Sequence, residues 1–419
     1  MSGIQISTLA NGLRVATDPM DSVETASVGV WVEAGSRFES ATASGVSHFL
    51  EHMVFKGTRK RDARAIAEEI EAVGGHLNAH TSREYTAFYA KVLKEDVALA
   101  VDIIADILQN ATLDGEELGR ERTVIMQEIM QAQDTPDDII FDRFQETAFP
   151  AQPLGRPVLG APESIDAMSR EILAGYMSQH YGAPRMILAA SGRVEHEALI
   201  DLANRAFERL PPTVAAEREP AAYRGGDFRE ERDLEQVHLV LGFQGVGYRD
   251  PDFYPLSVLS TLLGGGMSSR LFQEAREKRG LVYSIYSFPS SYSDTGLFGI
   301  YAGTGQDEVE QLIPLVCEEL RKVVLDVAEA EIARARAQLK SGMLMALEST
   351  SSRCEQLARQ IMIFGRAVPV AESIAKIEAV DGQAVARAAQ RLFSGLPTLA
   401  TLGPIDRVAS HADVMTLLT

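Results

Sequence analysis

The segment Ser47-His48-Phe49-Leu50-Glu51-His52-Met53 places two histidines four residues apart, with a glutamate directly before the second. Residues four apart share one face of a helix, one turn from each other, so both imidazoles can reach one metal ion. Catalytic zinc sites use three protein ligands and leave a position for water. We therefore predict that His48 and His52 bind zinc and that Glu51 is the general base acting on that water.

A simpler interpretation of this segment is a helix whose two histidines are solvated or satisfied inside the core. The apolar residues Phe49, Leu50, Met53 and Val54 would anchor the helix in either case. Only eight of the 419 residues are histidines, so their close pairing favours the metal site. The order His-x-x-Glu-His is also the signature of the inverzincin group of zinc enzymes.

Length and composition set limits on the fold and on the class of function. A chain of 419 residues suits two to three domains, and 46% hydrophobic with 24% charged residues is typical of globular proteins. The 59 acidic against 40 basic residues give a net charge of −19, which argues against nucleic-acid or anionic-membrane binding as a whole-protein property. Two cysteines exclude a disulfide framework and a cysteine zinc site.

The first residues and the apolar runs of the sequence predict no export signal. The chain's first residues, MSGIQISTLANGLRV, do not form a secretory signal, and no apolar run is long enough to cross a membrane. We therefore expect a bacterial cytoplasmic location without nucleic-acid or membrane partners.

The order of predicted elements recurs along the chain with a period of about 210 residues. In the first half, a hairpin is predicted around Asn11-Gly12, helices over about 43–56 and 114–133, and one helix over 163–179. A linker rich in Pro and Gly is predicted at 211–226, and the first strand after it at 237–243. This predicts an α+β protein of two homologous domains, 1–210 and 227–419, each an antiparallel-rich sheet flanked by helices.

The segment from His48 to Thr58, HFLEHMVFKGT, resembles the active-site helix of the pitrilysin (M16) family of zinc metallopeptidases, and within it the subfamily of the mitochondrial processing peptidase β subunit. The resemblance implies a LuxS/MPP-like metallohydrolase fold. It also implies a third ligand in a segment E-x-x-V-I-x-x-E, which Glu121 to Glu128 matches. Glu128 takes the ligand position, and Glu121, two helical turns earlier, would support the ligands. Without the resemblance, both would be interpreted as ordinary surface acids.

The resemblance also implies substrate-binding residues in the first half. The segment from Gly74 to Thr81 matches an exposed strand that pairs with the substrate main chain, with Asn78 and Ala79 at the matched positions. Phe55 matches a residue lining the pocket after the scissile bond, although plain core packing is an equal alternative. Asp138 and Asp142 match acids that receive a basic substrate residue, with a solvated acidic face as the alternative.

In the second half, the segment from Arg276 to Ser284 resembles the family's Arg/Tyr segment, with Arg276 and Tyr283 at the matched positions. In the family these residues contact the substrate backbone and the tetrahedral intermediate, which Arg and Tyr can stabilise by hydrogen bonding. Because the chain carries both sets of residues at half the length of single-chain relatives, we expect a homodimeric zinc endopeptidase. It would cleave short unfolded or presequence-like basic peptides in a shared chamber.

Two other interpretations of the chain stay open. It could be a structural or assembly subunit that keeps the fold without proteolysis, a class marked by missing ligands. It could also be the catalytic half of an obligate heterodimer, against which the intact Arg/Tyr segment argues.

Overall fold

The computed structural model describes residues 3–211 and 218–419, so residues 212–217 of the predicted linker lie outside the described residues. The strands are β1 Gln5–Thr8, β2 Arg14–Pro19, β3 Thr25–Val32, β4 His76–Thr81, β5 Thr86–Leu93, β6 Met186–Gly192, β7 Gly226–Glu231, β8 Val237–Gly245, β9 Val282–Ser291, β10 Gly296–Thr304 and β11 Thr398–Gly403. The helices of the first half are α1 Val46–Val54, α2 Ala63–Ala72, α3 Val97–Asn110, α4 Gly115–Gln133, α5 Pro136–Ala148, α6 Pro162–Asp166, α7 Arg170–His180 and α8 His196–Ala206. Those of the second half are α9 Phe253–Gly264, α10 Val309–Leu325, α11 Glu329–Ala346, α12 Thr350–Phe364, α13 Val370–Glu378, α14 Gly382–Phe393 and α15 His411–Leu418.

Both sheets follow one topology, which confirms the predicted α+β fold with two sheets flanked by helices. The first sheet has the order β1-β2-β6-β3-β5-β4, and the second has the order β7-β11-β8-β10-β9. In each sheet one pair is parallel, β2 with β6 and β7 with β11, and the other pairs are antiparallel. Strand β1 is an addition to the first sheet, where it forms the hairpin predicted around Asn11-Gly12.

The chain folds into two compact units that are discontinuous in sequence. The first comprises Met1–Met130, Arg156–Glu219 and Met345–Pro369, and the second comprises Gln131–Gly155, Pro220–Leu344 and Val370–Thr419. Helix α12 of the second half thus covers the first sheet, and α5 of the first half covers the second. The continuous domains 1–210 and 227–419 stay a prediction. In the structure, one helical segment of each half packs with the other unit.

Helix α12 packs on the first sheet through apolar and polar contacts. Buried Leu357 and Ile361 join Trp31 of β3 in one apolar cluster. Arg353 forms two 2.7 Å bonds with the carboxylate of buried Asp18 on β2. The opposite face of the sheet packs against α1 and α3 in a separate core, which holds the predicted metal-binding helix in place.

Two local predictions differ from the structure. The helix predicted over 163–179 is two helices, α6 and α7, because Ser169 accepts a hydrogen bond from the Ile172 N–H and begins a new helix. Strand β7 was not expected, since part of it lies in the predicted linker. The helix after α9 contains a π-helical stretch at Phe272–Glu277. Within the described residues, no helix is long and apolar enough to span a membrane.

Candidate active site

Helix α1 begins at a tight turn that is bound by a buried glutamate. Gly45 precedes the helix with φ of 90°, a conformation that favours glycine. The Glu39 carboxylate accepts the backbone N–H groups of Gly45 at 2.7 Å and Ser47 at 2.9 Å, which would otherwise lack partners at the helix start. Burial raises the pKa of Glu39 to about 7, against the lowering effect of these N–H groups. Glu39 therefore fixes the helix that carries the histidines.

The structure brings His48, His52 and Glu128 together. The Glu128 Oε2 atom lies 3.6 Å from His48 Nε2 and 3.7 Å from His52 Nε2. One ligand atom from each residue lies within 4.8 Å of the other two, and the imidazole rings meet edge to face with centroids 4.7 Å apart. Glu128 comes from α4, so the triad joins two helices of the first unit.

These three residues fit a zinc ion. Two imidazoles and one carboxylate are a common ligand set of catalytic zinc, which leaves a coordination position for water. Glu128 Oε2 is buried and makes no hydrogen bond within the described part of the chain, although it faces two imidazole nitrogens. Burial, with a smaller effect from His52, lowers the pKa of His48 to about 4, so its imidazole is neutral and able to bind a metal at neutral pH.

Glu121 supports the triad from one side. Its Oε2 atom lies 2.9 Å from His52 Nδ1, and its Oε1 atom accepts a hydrogen bond from the Lys56 ammonium at 2.7 Å. Burial would raise the pKa of Glu121, but Lys56 and His52 outweigh it and the pKa is lowered. Glu121 therefore stays ionised and orients His52 so that its Nε2 atom faces Glu128.

Glu51 is linked to the edge of the first sheet by Thr81. The Thr81 hydroxyl donates to Glu51 Oε2 at 2.5 Å. Burial raises the pKa of Glu51, and the nearby Glu128 charge adds to that rise, against the hydrogen bonds of Thr81. A raised pKa brings a carboxylate closer to the range in which it accepts and returns a proton efficiently.

Strand β4, which carries Asn78 and Ala79, lies at the edge of the first sheet beside β5. The Ala79 N–H donates to the Asn78 side chain at 2.8 Å rather than to β5, so it points to the unpaired edge. Phe55 is half-buried at the end of α1 and packs near Phe88 with ring centroids 6.4 Å apart. These positions are compatible with a substrate role for all three predicted residues, which remains a proposal.

Arg276 and Tyr283 lie together in the second unit. The Arg276 guanidinium lies 5.7 Å from the Tyr283 ring centroid and 4.9 Å from that of Phe272. Tyr283, on edge strand β9, is 75% exposed, so the pair is available to a ligand. Asp138 and Asp142 lie on α5 of the same unit, the first exposed and the second half-buried.

Sequence reasoning missed Glu39, Lys56 and Thr81. Glu39 is indistinguishable from a surface acid until the chain folds around it. Thr81 appears only as the last residue of a predicted strand. Lys56 lies within the segment that carries the family resemblance, but only the fold brings it to Glu121.

Comparison with known proteins identifies the family of the chain. The family described as Insulinase (Peptidase family M16) matches residues 14–162, and the one described as Peptidase M16 inactive domain matches residues 167–339. The chain is 41% identical to the probable mitochondrial-processing peptidase subunit beta of Arabidopsis thaliana, over 97% of this chain and 80% of that protein. It is 40% identical to an uncharacterized zinc protease of Rickettsia felis, over 96% of this chain and 98% of that protein.

Two solved structures share the fold. A protease from Helicobacter pylori superposes with a TM-score of 0.90 at 23% identity, covering 96% of this chain and all of that one. A chain of complex III2 from Candida albicans superposes with a TM-score of 0.88 at 22% identity, covering 99% of this chain and all of that one. At these identities the likeness establishes the architecture alone.

Proposed function

The chain belongs to the M16 family of metallopeptidases, and from that membership we propose that it is a zinc-dependent endopeptidase whose metal is held by His48, His52 and Glu128. The observation that carries this proposal is the convergence of one carboxylate oxygen on two imidazole nitrogens, at 3.6 and 3.7 Å. A relative that had lost proteolysis would be expected to lack part of this set. Zinc bound there supplies Lewis-acid activation of a water molecule and of the scissile carbonyl.

Glu51 performs the proton transfer, and the side chains around it hold the reacting groups in place. Glu51 takes the proton of the attacking water and passes it to the leaving amine, so the carboxylate is regenerated in each turnover. Its hydrogen bond from the Thr81 hydroxyl holds it in one orientation. Glu121 keeps the His52 Nε2 atom directed at the metal position through its 2.9 Å contact with Nδ1.

The unpaired edge of β4 supports an extended peptide as the substrate. Pairing with this edge would use main-chain hydrogen bonds, which require an unfolded segment and little sequence specificity. Asn78 and Ala79 would bind the peptide backbone, and Phe55 would contact the side chain after the scissile bond. The net charge of −19, with Asp138 and Asp142 as partners for a guanidinium, supports short unfolded or presequence-like basic peptides.

Zinc analysis combined with Glu51→Gln tests the proposed chemistry. The variant keeps the three ligands, so we expect wild-type zinc content and peptidase activity reduced about 100- to 10,000-fold, the usual contribution of a general base. The control is Glu68→Gln, an exposed acid on α2 whose loss leaves the site intact. Normal activity of Glu51→Gln would refute the assigned base, and a zinc-free wild-type protein with full activity would refute the metal site.

We further propose a homodimer in which Arg276 and Tyr283 of one chain act on a peptide bound at the zinc site of the other. Light scattering should give twice the chain mass of 45.6 kDa. Mixing Glu51→Gln chains with Arg276→Ala/Tyr283→Phe chains should restore part of the activity that each lacks alone. A fully active monomer would refute sharing. The name of the Arabidopsis relative, a subunit beta, supports the alternative of a partner with a different sequence.

A further inference from the structure

Edge strand β4 directs its side chains to two faces of the first sheet. Leu77 and Ala79 pack with the core that contains α1. Thr81, two residues further along and therefore on the same face, donates to Glu51 of α1. This face of the edge is the one next to the proposed catalytic residues.

The other face of the same edge lies beside α12. Asn78 pairs with Tyr89, and His80 pairs with Ala87 across the β4–β5 ladder. Residues opposite each other in an antiparallel pair share a face, and both Tyr89 and Ala87 pack with the apolar cluster under α12. Asn78 and His80 therefore project toward the α12 face.

Helix α12 presents different residues to the two sides of the sheet. The apolar residues of its buried stripe are Cys354, Leu357, Ala358 and Ile361. On one flank, Arg353 binds Asp18 of β2 through two bonds, which fixes the rotation of the helix. At 100° per residue, Glu355 and Arg359 fall on the opposite flank, toward β4 and β5.

Five side chains form one polar and aromatic cluster on that flank: His80, Tyr85, Tyr89, Glu355 and Arg359, named here the α12 cluster. The His80 ring lies 5.5 Å from Tyr85 and 5.8 Å from Tyr89, measured between centroids. The Arg359 guanidinium lies 5.7 Å from the Tyr85 ring centroid, and its Nη1 atom lies 3.6 Å from Glu355 Oε1. Glu355 and Arg359 remain 42% and 37% exposed, so both can contact a ligand.

A peptide that pairs with β4 sends alternate side chains to the two faces, because successive residues of a strand point in opposite directions. We propose that the α12 cluster is a specificity subsite for the peptide side chains on the face opposite α1, and that Glu355 makes it favour lysine or arginine. A carboxylate beside aromatic rings can bind a cation by charge and by cation–π contact. The Arg359 guanidinium, 5.7 Å from the Tyr85 ring centroid, shows that a cation fits beside these rings. Burial, with a smaller effect from the Glu355 charge, raises the pKa of Tyr89, which pairs with Asn78 in the ladder. The inference rests on the proposed peptidase function.

A charge-scanning experiment tests the subsite. One cleaved peptide is made with Lys, Gln or Glu at each position on both sides of the scissile bond, and kcat/KM is measured for wild type, Glu355→Gln and Arg359→Gln. We expect Glu355→Gln to lower the Lys-over-Glu preference about two- to fivefold, as for a partly exposed charge pair. Arg359→Gln should raise that preference. Both effects should occur at positions two residues apart and be absent at the positions between them.

The control is Glu348→Gln, which removes an exposed acid just before α12 and should leave the preference unchanged. The same peptides are also titrated by fluorescence anisotropy into full-length protein carrying Glu51→Gln, with and without Glu355→Gln, so that binding is measured without cleavage. Unchanged Lys-over-Glu ratios in both assays would overturn the subsite while leaving the peptidase proposal intact. A wild-type protein that binds these peptides with the expected preference but never cleaves them would overturn the peptidase proposal alone.

Discussion

Replacing Glu121 with glutamine tests how the proposed metal ligands are held. Glutamine keeps the size of the side chain and one acceptor oxygen, but it removes the negative charge that now contacts His52 at 2.9 Å and Lys56 at 2.7 Å. The Lys56 ammonium then loses its ion pair, and the carboxamide can turn its NH2 group toward His52. His52 is therefore less firmly oriented, while all three ligands remain.

The size of this effect follows from the contacts that are lost. Glu121 is 5% exposed, so its charged hydrogen bonds are little weakened by solvent. Loss of a residue that orients a zinc-bound histidine reduces metal affinity about 10- to 100-fold, which corresponds to roughly 1.4–2.7 kcal/mol. We expect Glu121→Gln to lie in this range and Glu121→Ala to lie near its upper end.

Competition with a chromogenic zinc chelator measures the affinity directly, without a peptide substrate. The control is Glu117→Gln, which removes an acid one turn earlier on α4 whose partner is the exposed Arg120. Glu117→Gln should bind zinc as wild type does. Wild-type zinc affinity in Glu121→Gln would show that the His52–Glu121–Lys56 chain does not orient the ligand, and the explanation given for Glu121 would then be wrong.

Three further predictions concern stability and substrate charge. Because the pKa of Glu39 is raised from 4.5 to about 7, its contribution to the free energy of unfolding is complete below pH 4.5. About 3 kcal/mol of that contribution is lost as the pH rises from 4.5 to about 7. Urea unfolding at pH 5 and pH 8 should show this loss in wild type, and an equal loss in Glu39→Gln would contradict it. Leu357→Ala should lower the free energy of unfolding, measured by chemical denaturation, by about 2–5 kcal/mol. Leu344→Ala, at a 42% exposed position, should lower it far less. Similar losses in the two variants would refute the packing assigned to Leu357. Cleavage of basic peptides should decline as salt increases, and equal turnover of acidic and basic peptides at low salt would exclude electrostatic selection.

Local patterns in the sequence were sufficient to predict the helix that carries His48 and His52, and most strands. The spacing of His48 and His52 is a property of one helix, and the structure keeps it. Glu128 lies on another helix, so only the family resemblance indicated it, and the fold supplies the 3.6 Å approach. The helix predicted over 163–179 is interrupted before Arg170. Ser169 is an N-cap residue that indicates a new helix start at this point, and the prediction did not take it into account.

Long-range packing could not be predicted from the residues. The apolar stripe of α12 indicates that the helix covers a sheet, but the stripe does not say which of two similar sheets it covers. The role of Glu39 depends on its burial against the start of α1, which no local pattern records. The parallel pairs β2–β6 and β7–β11 could not be predicted either. Alternation of apolar and polar residues shows which face of a strand is buried, but not which strand lies beside it.

The packing of α12, from the second half of the chain, on the first sheet has a consequence for folding during translation. As the chain leaves the ribosome, the apolar face of the first sheet around Trp31 stays uncovered until Leu357 and Ile361 have been synthesised. We therefore expect the half that carries the proposed zinc ligands to expose this apolar surface during its own translation, which favours aggregation in that interval. A fragment ending at residue 210 would keep every proposed zinc ligand yet expose this surface. We therefore expect such a fragment to lack peptidase activity, although it would retain His48, His52 and Glu128.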